Sequence, residues 1–190
     1  MAEKAIAAVE RGELGVLCPQ QFTEEQLERL AAAVEQSTEL NWLAICNCAF
    51  ATIAPLARAV EKSKTLESLS IRRCRIVDND VATLAHAVAQ STSLRIFFFD
   101  HNPLMTDADA VALAHELANA KSLRGVSLDG CAITDQGAAE MVRAFDASTG
   151  TSLDSIFIHD THVTPPMRES VWNAVKRANA RRAASTRETV

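Results

Sequence analysis

In this 190-residue chain one group of side chains, Arg72, Asp100, His101, Asp129, His159 and Asp160, combines types that can do chemistry with a regular spacing. Grouped Asp and His residues can hold a metal ion or act as acid and base. Arg72 beside Asp100, and Asp129 beside His159, would instead form opposite-charge pairs. Solvated pairs of that kind contribute about 0–1 kcal/mol each. No HExxH, paired-carboxylate or nucleophile motif accompanies them. His86 and His115 fall on helical stretches away from the group. Arg72, Asp100, Asp129 and His159 follow one another at 28, 29 and 30 residues. Such near-equal spacing is what a repeating fold produces.

The repeat is visible. Five segments place apolar residues at relative positions 0, 3, 5 and 10. They are Leu40, Leu43, Ile45, Phe50; Leu66, Leu69, Ile71, Ile76; and Leu94, Phe97, Phe99, Leu104. Leu123, Val126, Leu128, Ile133 and Leu153, Ile156, Ile158, Val163 complete the set. Positions 3 and 5 alternate as a short strand does. Beyond position 10 the spacing is helical, as in Val81, Leu84, Val88, and before the first unit in Leu27, Leu30, Val34. Helix starts are marked by the capping-box form Thr23-Glu24-Glu25-Gln26 and by Thr164 before Pro165. Asp78, Thr106 and Thr134 stand at comparable points. No unit can bury its apolar face alone, so the units must stack into a curved solenoid.

The run Leu128-Asp-Gly-Cys131-Ala-Ile133-Thr134-Asp135-Gln-Gly137-Ala-Ala-Glu-Met141 resembles a ribonuclease-inhibitor-type leucine-rich repeat. The resemblance covers about residues 12–180. In that family, an Asn or Cys three residues beyond the strand bonds the backbone of the turn. Cys48, Cys74, Asn102 and Cys131 occupy that place here, and Thr161 departs from it. The implied fold is an α/β solenoid, a right-handed β-α horseshoe with a parallel concave sheet, convex helices and about five repeats between helical caps. One domain is expected over 1–180. Within it, 1–38 forms a helical cap with a degenerate repeat from Gly12 to Phe22, 39–163 the repeats, and 164–180 a terminal capping helix. Residues 181–190 are expected to form a mobile basic tail.

Alternation sends positions 2, 4 and 6 of each unit to the concave face, where equivalent residues form ladders across the sheet. Position 2 carries Trp42, Ser68, Ile96, Gly125 and Ser155, and position 4 Ala44, Ser70, Phe98, Ser127 and Phe157. Position 6 carries Cys46, Arg72, Asp100, Asp129 and His159. Position 7 carries Asn47, Arg73, His101, Gly130 and Asp160. Trp42, Ile96, Phe98 and Phe157 are large apolar groups set to face solvent beside charges, as interface anchors do. The expected partner-binding face therefore comprises Trp42, Arg72, Arg73, Ile96, Phe98, Asp100, His101, Asp129, Phe157, His159 and Asp160. This assignment depends on register, because a one-residue slip in Phe97-Phe98-Phe99 would exchange the two faces.

A net charge of −5 argues against general nucleic-acid affinity. Residues 1–40 are rich in acids, whereas the end carries Arg168, Lys176, Arg177, Arg181, Arg182 and Arg187. Five cysteines without a CxxC pair suggest reduced, intracellular thiols. No signal peptide opens the chain, and no apolar run approaches the ~20 residues that span a bilayer. The expectation is a cytoplasmic, non-catalytic interaction module without a cofactor, binding another protein as an adaptor or scaffold. A structural subunit of a larger assembly and a metal-dependent enzyme are the alternatives. About five repeats followed by a long helix are also similar in layout to the C-terminal half of tropomodulins. Pro166, Arg168, Ala174, Asn179, Arg181 and Arg182 fall in an order loosely like that family's terminal helix. That resemblance implies a cytoskeletal role at actin filament pointed ends.

Overall fold

The computed structural model describes residues 2–11, 15–17, 21–76 and 80–187. A first helix, α1 (Ala2–Glu10), leads into strands and helices in strict alternation. The strands are β1 (Gly15–Leu17), β2 (Trp42–Cys46), β3 (Ser68–Arg72), β4 (Ile96–Phe98), β5 (Gly125–Ser127) and β6 (Ser155–Phe157). Each is followed by its helix: α2 (Glu24–Gln36), α3 (Ala54–Lys62), α4 (Asp80–Gln90), α5 (Asp107–Leu117), α6 (Asp135–Ala147) and α7 (Pro165–Arg187). The six strands form one parallel sheet in chain order. Helices pack about 8–10 Å apart and strands about 4.8 Å apart, so the stack must curve with its strands inside.

The strand register follows the repeat. Leu43 pairs with Leu69, Leu69 with Phe97, Phe97 with Val126, and Val126 with Ile156. These residues and their position-5 companions Ile45, Ile71, Phe99, Leu128 and Ile158 are all buried. One unit departs from the expected pattern. Leu104 is exposed, and Met105 takes the buried place at 2% exposure. The turn after β4 holds one more residue than the turn after β5, since Phe99 to Met105 spans six steps and Leu128 to Ile133 five.

Helix starts are built as their sequences suggest, and they also join neighbouring units. Thr23 Oγ1 accepts from the Gln26 backbone N–H at 3.2 Å while the Gln26 side chain accepts from Thr23 N–H at 3.1 Å. Thr106 and Thr134 are N-caps of α5 and α6, whereas Asp78 lies outside the described residues. The Asp107 carboxylate accepts from the Thr134 backbone N–H at 2.7 Å and from its hydroxyl at 2.6 Å. Asp135 does the same for Thr164, at 2.7 and 2.9 Å. A Cβ at position 137 would sit 2.3 Å from the Asp107 carboxylate, so Gly137 keeps that contact open.

A second polar ladder precedes the leading leucines. Hydroxyls of Thr65, Ser93, Ser122 and Ser152 donate to carbonyls of Ser37, Ser63, Ser91 and Ala120 in the preceding unit. These bonds satisfy backbone acceptors that would otherwise be buried at helix C-termini. The signal was present as Ser or Thr directly before Leu66, Leu94, Leu123 and Leu153.

The basic end is not a tail over its described length. Helix α7 continues past Ala180 to Arg187. Arg181 donates to the carbonyls of Ser148 and Phe145, and Arg182 to that of Lys121. Arg177 forms a two-pronged bond with Asp146 at 2.9 Å, which lowers the Asp146 pKa below its ordinary value. These arginines fasten the helix to earlier units, which is why their segment is helical. Among the described residues, no helix is long and apolar enough to cross a membrane.

Candidate functional site

The turns after β2–β6 share one backbone form along the sheet's rim. Asn47, Arg73, His101 and Asp160 all adopt left-handed φ values of 53–54°, and Gly130 takes the same place at 69°. Three residues beyond the strand, the expected Cys or Asn closes the turn. Asn102 Oδ1 accepts from Cys74 N–H at 2.8 Å, and its Nδ2 donates to the Ile71 carbonyl at 3.0 Å. Cys74 and Cys131 thiols donate to backbone carbonyls at 3.3 Å (Arg72) and 3.2 Å (Phe99). In the last unit Thr161 substitutes its hydroxyl, donating to Ile158 at 2.8 Å. Burial pushes the Cys48 and Cys131 thiols up to about 11 and Cys74 up to about 12. These thiols stay protonated near neutral pH, so they are turn residues rather than nucleophiles.

The charged ladder forms the two pairs that the spacing suggested. Arg72 meets Asp100 at 2.9 Å, and His159 Nδ1 lies 3.4 Å from Asp129. Both carboxylates also serve the sheet. Asp100 accepts from the Asp129 backbone N–H at 3.3 Å, and Asp129 from the His159 N–H at 2.6 Å. Each position-6 aspartate thus extends the hydrogen bonding between adjacent units beyond the strand ends. The His101 ring lies where a Cβ on Gly130 would go, 2.0 Å from its Nδ1. Asp160 is exposed on its turn. Among the described residues, no three His, Cys, Asp or Glu side chains gather as a metal site. The Asp–His group is therefore a row of separate pairs, not a cage.

The apolar members do come together. Register places Phe97 inward at 1% exposure, with Ile96 and Phe98 outward. Ile96 is 40% exposed and Phe157 45%. Phe98 is half-buried beneath the Arg72 guanidinium, 4.9 Å from the ring centroid. Phe157 lies against the His159 ring at 5.9 Å. Trp42 is half-buried and stands apart from the residues that line the groove over β5. Between Phe98 and Phe157 an open groove of about 310 Å³ runs over β5. Its floor is Gly125 and Val126, and its rim includes Arg124, Asp154 and Ser155.

The sequence reading missed Gly125, Arg124 and Asp154 as site residues. Their signal was faint: a glycine at position 2 between units carrying Ile96 and Phe157, and charges at position 1, just before each strand. It also missed Trp172, 43% exposed on α7 with Lys176 Nζ 3.6 Å from its ring centroid. A larger open depression of about 470 Å³ lies on the helical side around Arg58, Glu61, His86 and Glu116. Alanines and an exposed His86–Glu116 contact of 3.3 Å line it, without an aromatic anchor.

No protein-family model matches the chain, and no curated protein matches it. Solved structures do. The leiomodin-1 actin-binding site 2 domain superposes with a TM-score of 0.58 at 13% identity, covering 100% of this chain and 98% of that one. The tropomodulin C-terminal domain from Caenorhabditis elegans gives 0.50 at 16% identity, covering 100% and 99%. The fold is a leucine-rich-repeat solenoid. At such identities the likeness concerns the fold, so the function of this leucine-rich-repeat chain must be argued from its own surface.

Proposed function

We propose that this chain is a non-catalytic protein-binding module, an adaptor or scaffold that receives its partner on the concave sheet. The observation carrying this reading is the groove between Phe98 and Phe157. Large apolar groups stand exposed there on strands whose inward faces already supply the core. Exposed aromatics clustered on a concave wall are what interface anchors look like. Asp100 and Asp129 are engaged with Arg72, His159 and the backbone, and Arg124 with Asp154. The test is quantitative recovery of partners from cells with the wild-type chain and the Phe98→Ala/Phe157→Ala variant. Loss of a specific partner is expected, and unchanged recovery removes the assignment of this face.

A narrower reading is actin binding with a cytoskeletal location. It is favoured by the end-to-end likeness to a domain described as an actin-binding site of leiomodin-1. It also fits the long helix α7 after the last strand, the layout in which the sequence resembles tropomodulins. Depolymerisation of actin filaments from their pointed ends, with and without the protein, decides it. Slowed loss of subunits is the expected result.

A further inference from the structure

We propose that the open edge of β6 takes an extended segment of another protein as a seventh strand. This surface is separate from the concave groove, because it is made of backbone at the end of the sheet. The sheet stops at β6, which pairs only with β5. Earlier units show what a following strand supplies. The carbonyls of Asn41, Glu67, Arg95 and Arg124 each accept two N–H groups from the next unit. The Phe99 and Leu128 N–H groups donate to Ser127 and Phe157, and those of His101 and Gly130 to Asp129 and His159. In the last unit the equivalent groups are the Asp154 carbonyl and the N–H groups of Ile158 and Asp160. Among the described residues none of the three has a partner. They span six residues, or about 20 Å of extended chain. Besides water, a row of donors and acceptors at strand spacing matches another extended backbone.

Two further observations set this edge apart from a guarded one. Edges are commonly blunted with proline or lysine, and Ser155-Ile156-Phe157-Ile158 carries neither. Ile156 keeps 6% exposure where its counterparts Leu69, Phe97 and Val126 keep 0–1%, so α7 leaves the edge uncovered. An exposed aromatic also stands beside it. Helix α7 runs back along β6, and the Asn179 side chain donates to the Leu153 carbonyl at 3.0 Å. Trp172 lies two turns earlier on the same helix face, about 10.5 Å along the axis. Three strand residues cover about the same distance, which sets Trp172 level with Ile156. A seventh strand would turn alternate side chains toward Trp172 and the others toward Phe157, 43% and 45% exposed. A second copy is a poorer occupant. Joining two β6 edges sets α7 against α7, and each carries Arg168, Lys176, Arg181 and Arg182 with one acid, Glu169.

The experiment selects a random 12-residue peptide library on the full chain, then measures the enriched peptides in solution. Peptides with apolar residues at alternate positions are expected, and their affinity should fall about tenfold or more in Trp172→Ala. Trp172 is exposed, so that variant keeps the fold, which circular dichroism checks. N-methylation of one peptide amide at a time separates strand addition from side-chain docking. Binding should be lost at every second position, because only alternate N–H groups of an added strand face β6. In the free chain the Ile158 and Asp160 amides should exchange faster than those of Leu128 and Gly130. Bound peptide should slow them about tenfold or more. Peptides that show no alternation and leave these two amides unprotected overturn the inference. If such peptides are lost in Phe98→Ala, they occupy the groove, and the concave binding face stands without the edge. Failure to enrich any peptide overturns the edge as a docking site. Self-association through β6, seen by sedimentation, overturns it in favour of a second copy.

Discussion

Phe97 and Phe98 are consecutive residues of one type on one strand, and they have different work. Phe97 is 1% exposed, its ring centroid 5.5 Å from that of Phe99 within the core. Phe98 points the other way, half-buried under Arg72 beside the groove. The pleat separates them completely, so one face of the sheet holds the solenoid together while the other is available to a partner. The same division runs through the polar residues. Asn102 is buried and satisfies two backbone groups of the preceding unit, whereas His159 is exposed and only brushes Asp129.

The sharpest way to break this contrast is to truncate both phenylalanines separately. Phe97→Ala should destabilise the fold by roughly 3–5 kcal/mol in urea unfolding. Phe98→Ala should lower stability by under about 1.5 kcal/mol, since its ring keeps part of its surface in water. Equal losses would show that both faces serve folding. Next in size is Asn102→Ala, which leaves the Cys74 N–H and the Ile71 carbonyl unpaired and should lower stability by about 2–4 kcal/mol. The companion His159→Ala should change it by less than about 1 kcal/mol.

Gly130→Ala probes the rim between the two faces. A methyl there meets the His101 ring and a left-handed backbone, so a loss of roughly 1–3 kcal/mol is expected, read as a lowered Tm. His101→Gly should recover part of that loss by removing the ring.

The inward face also predicts a pH dependence. Burial raises the Cys48, Cys74 and Cys131 pKa values to about 11, 12 and 11. Below the ordinary thiol value of about 8.5 both states are protonated, and these groups leave stability unchanged. As pH rises from there toward 11–12, the unfolded chain releases thiol protons that the folded chain retains. Stability must therefore fall across that window. Cys74→Ala should flatten the slope of unfolding free energy against pH between 8.5 and 11, and an unchanged slope would show that the thiol is not desolvated.

The smallest effect concerns Arg73, which holds a left-handed φ of 53° without being glycine. Arg73→Gly should raise stability by about 0.5–1 kcal/mol, or a few degrees in Tm. An unchanged Tm would show that the left-handed turn costs Arg73 nothing.

Much of this was legible from residue order. Alternation together with the repeat register set Phe97 inside and Phe98 outside, and the 28–30-residue spacing set Arg72 beside Asp100 and Asp129 beside His159. Other features were not. Leu104 and Met105 are both apolar, and only the length of the turn after β4 decides which of them is buried. Residues 181–187 show no apolar periodicity that marks a helix. Their helix is held by guanidinium-to-carbonyl bonds reaching 33 to 61 residues back along the chain.

The repeat, its strand and helix periods and the faces of the strands follow from local physics: hydrophobic spacing, caps and the two-residue pleat act within one unit. The groove is of another kind. It exists because Ile96 and Phe98, a bare Gly125 and Phe157 arrive on three consecutive strands in register, and because Arg72 folds over one of its walls. Side chains from separate units meet only when stacking has set their distances, so the site is a property of the assembled sheet.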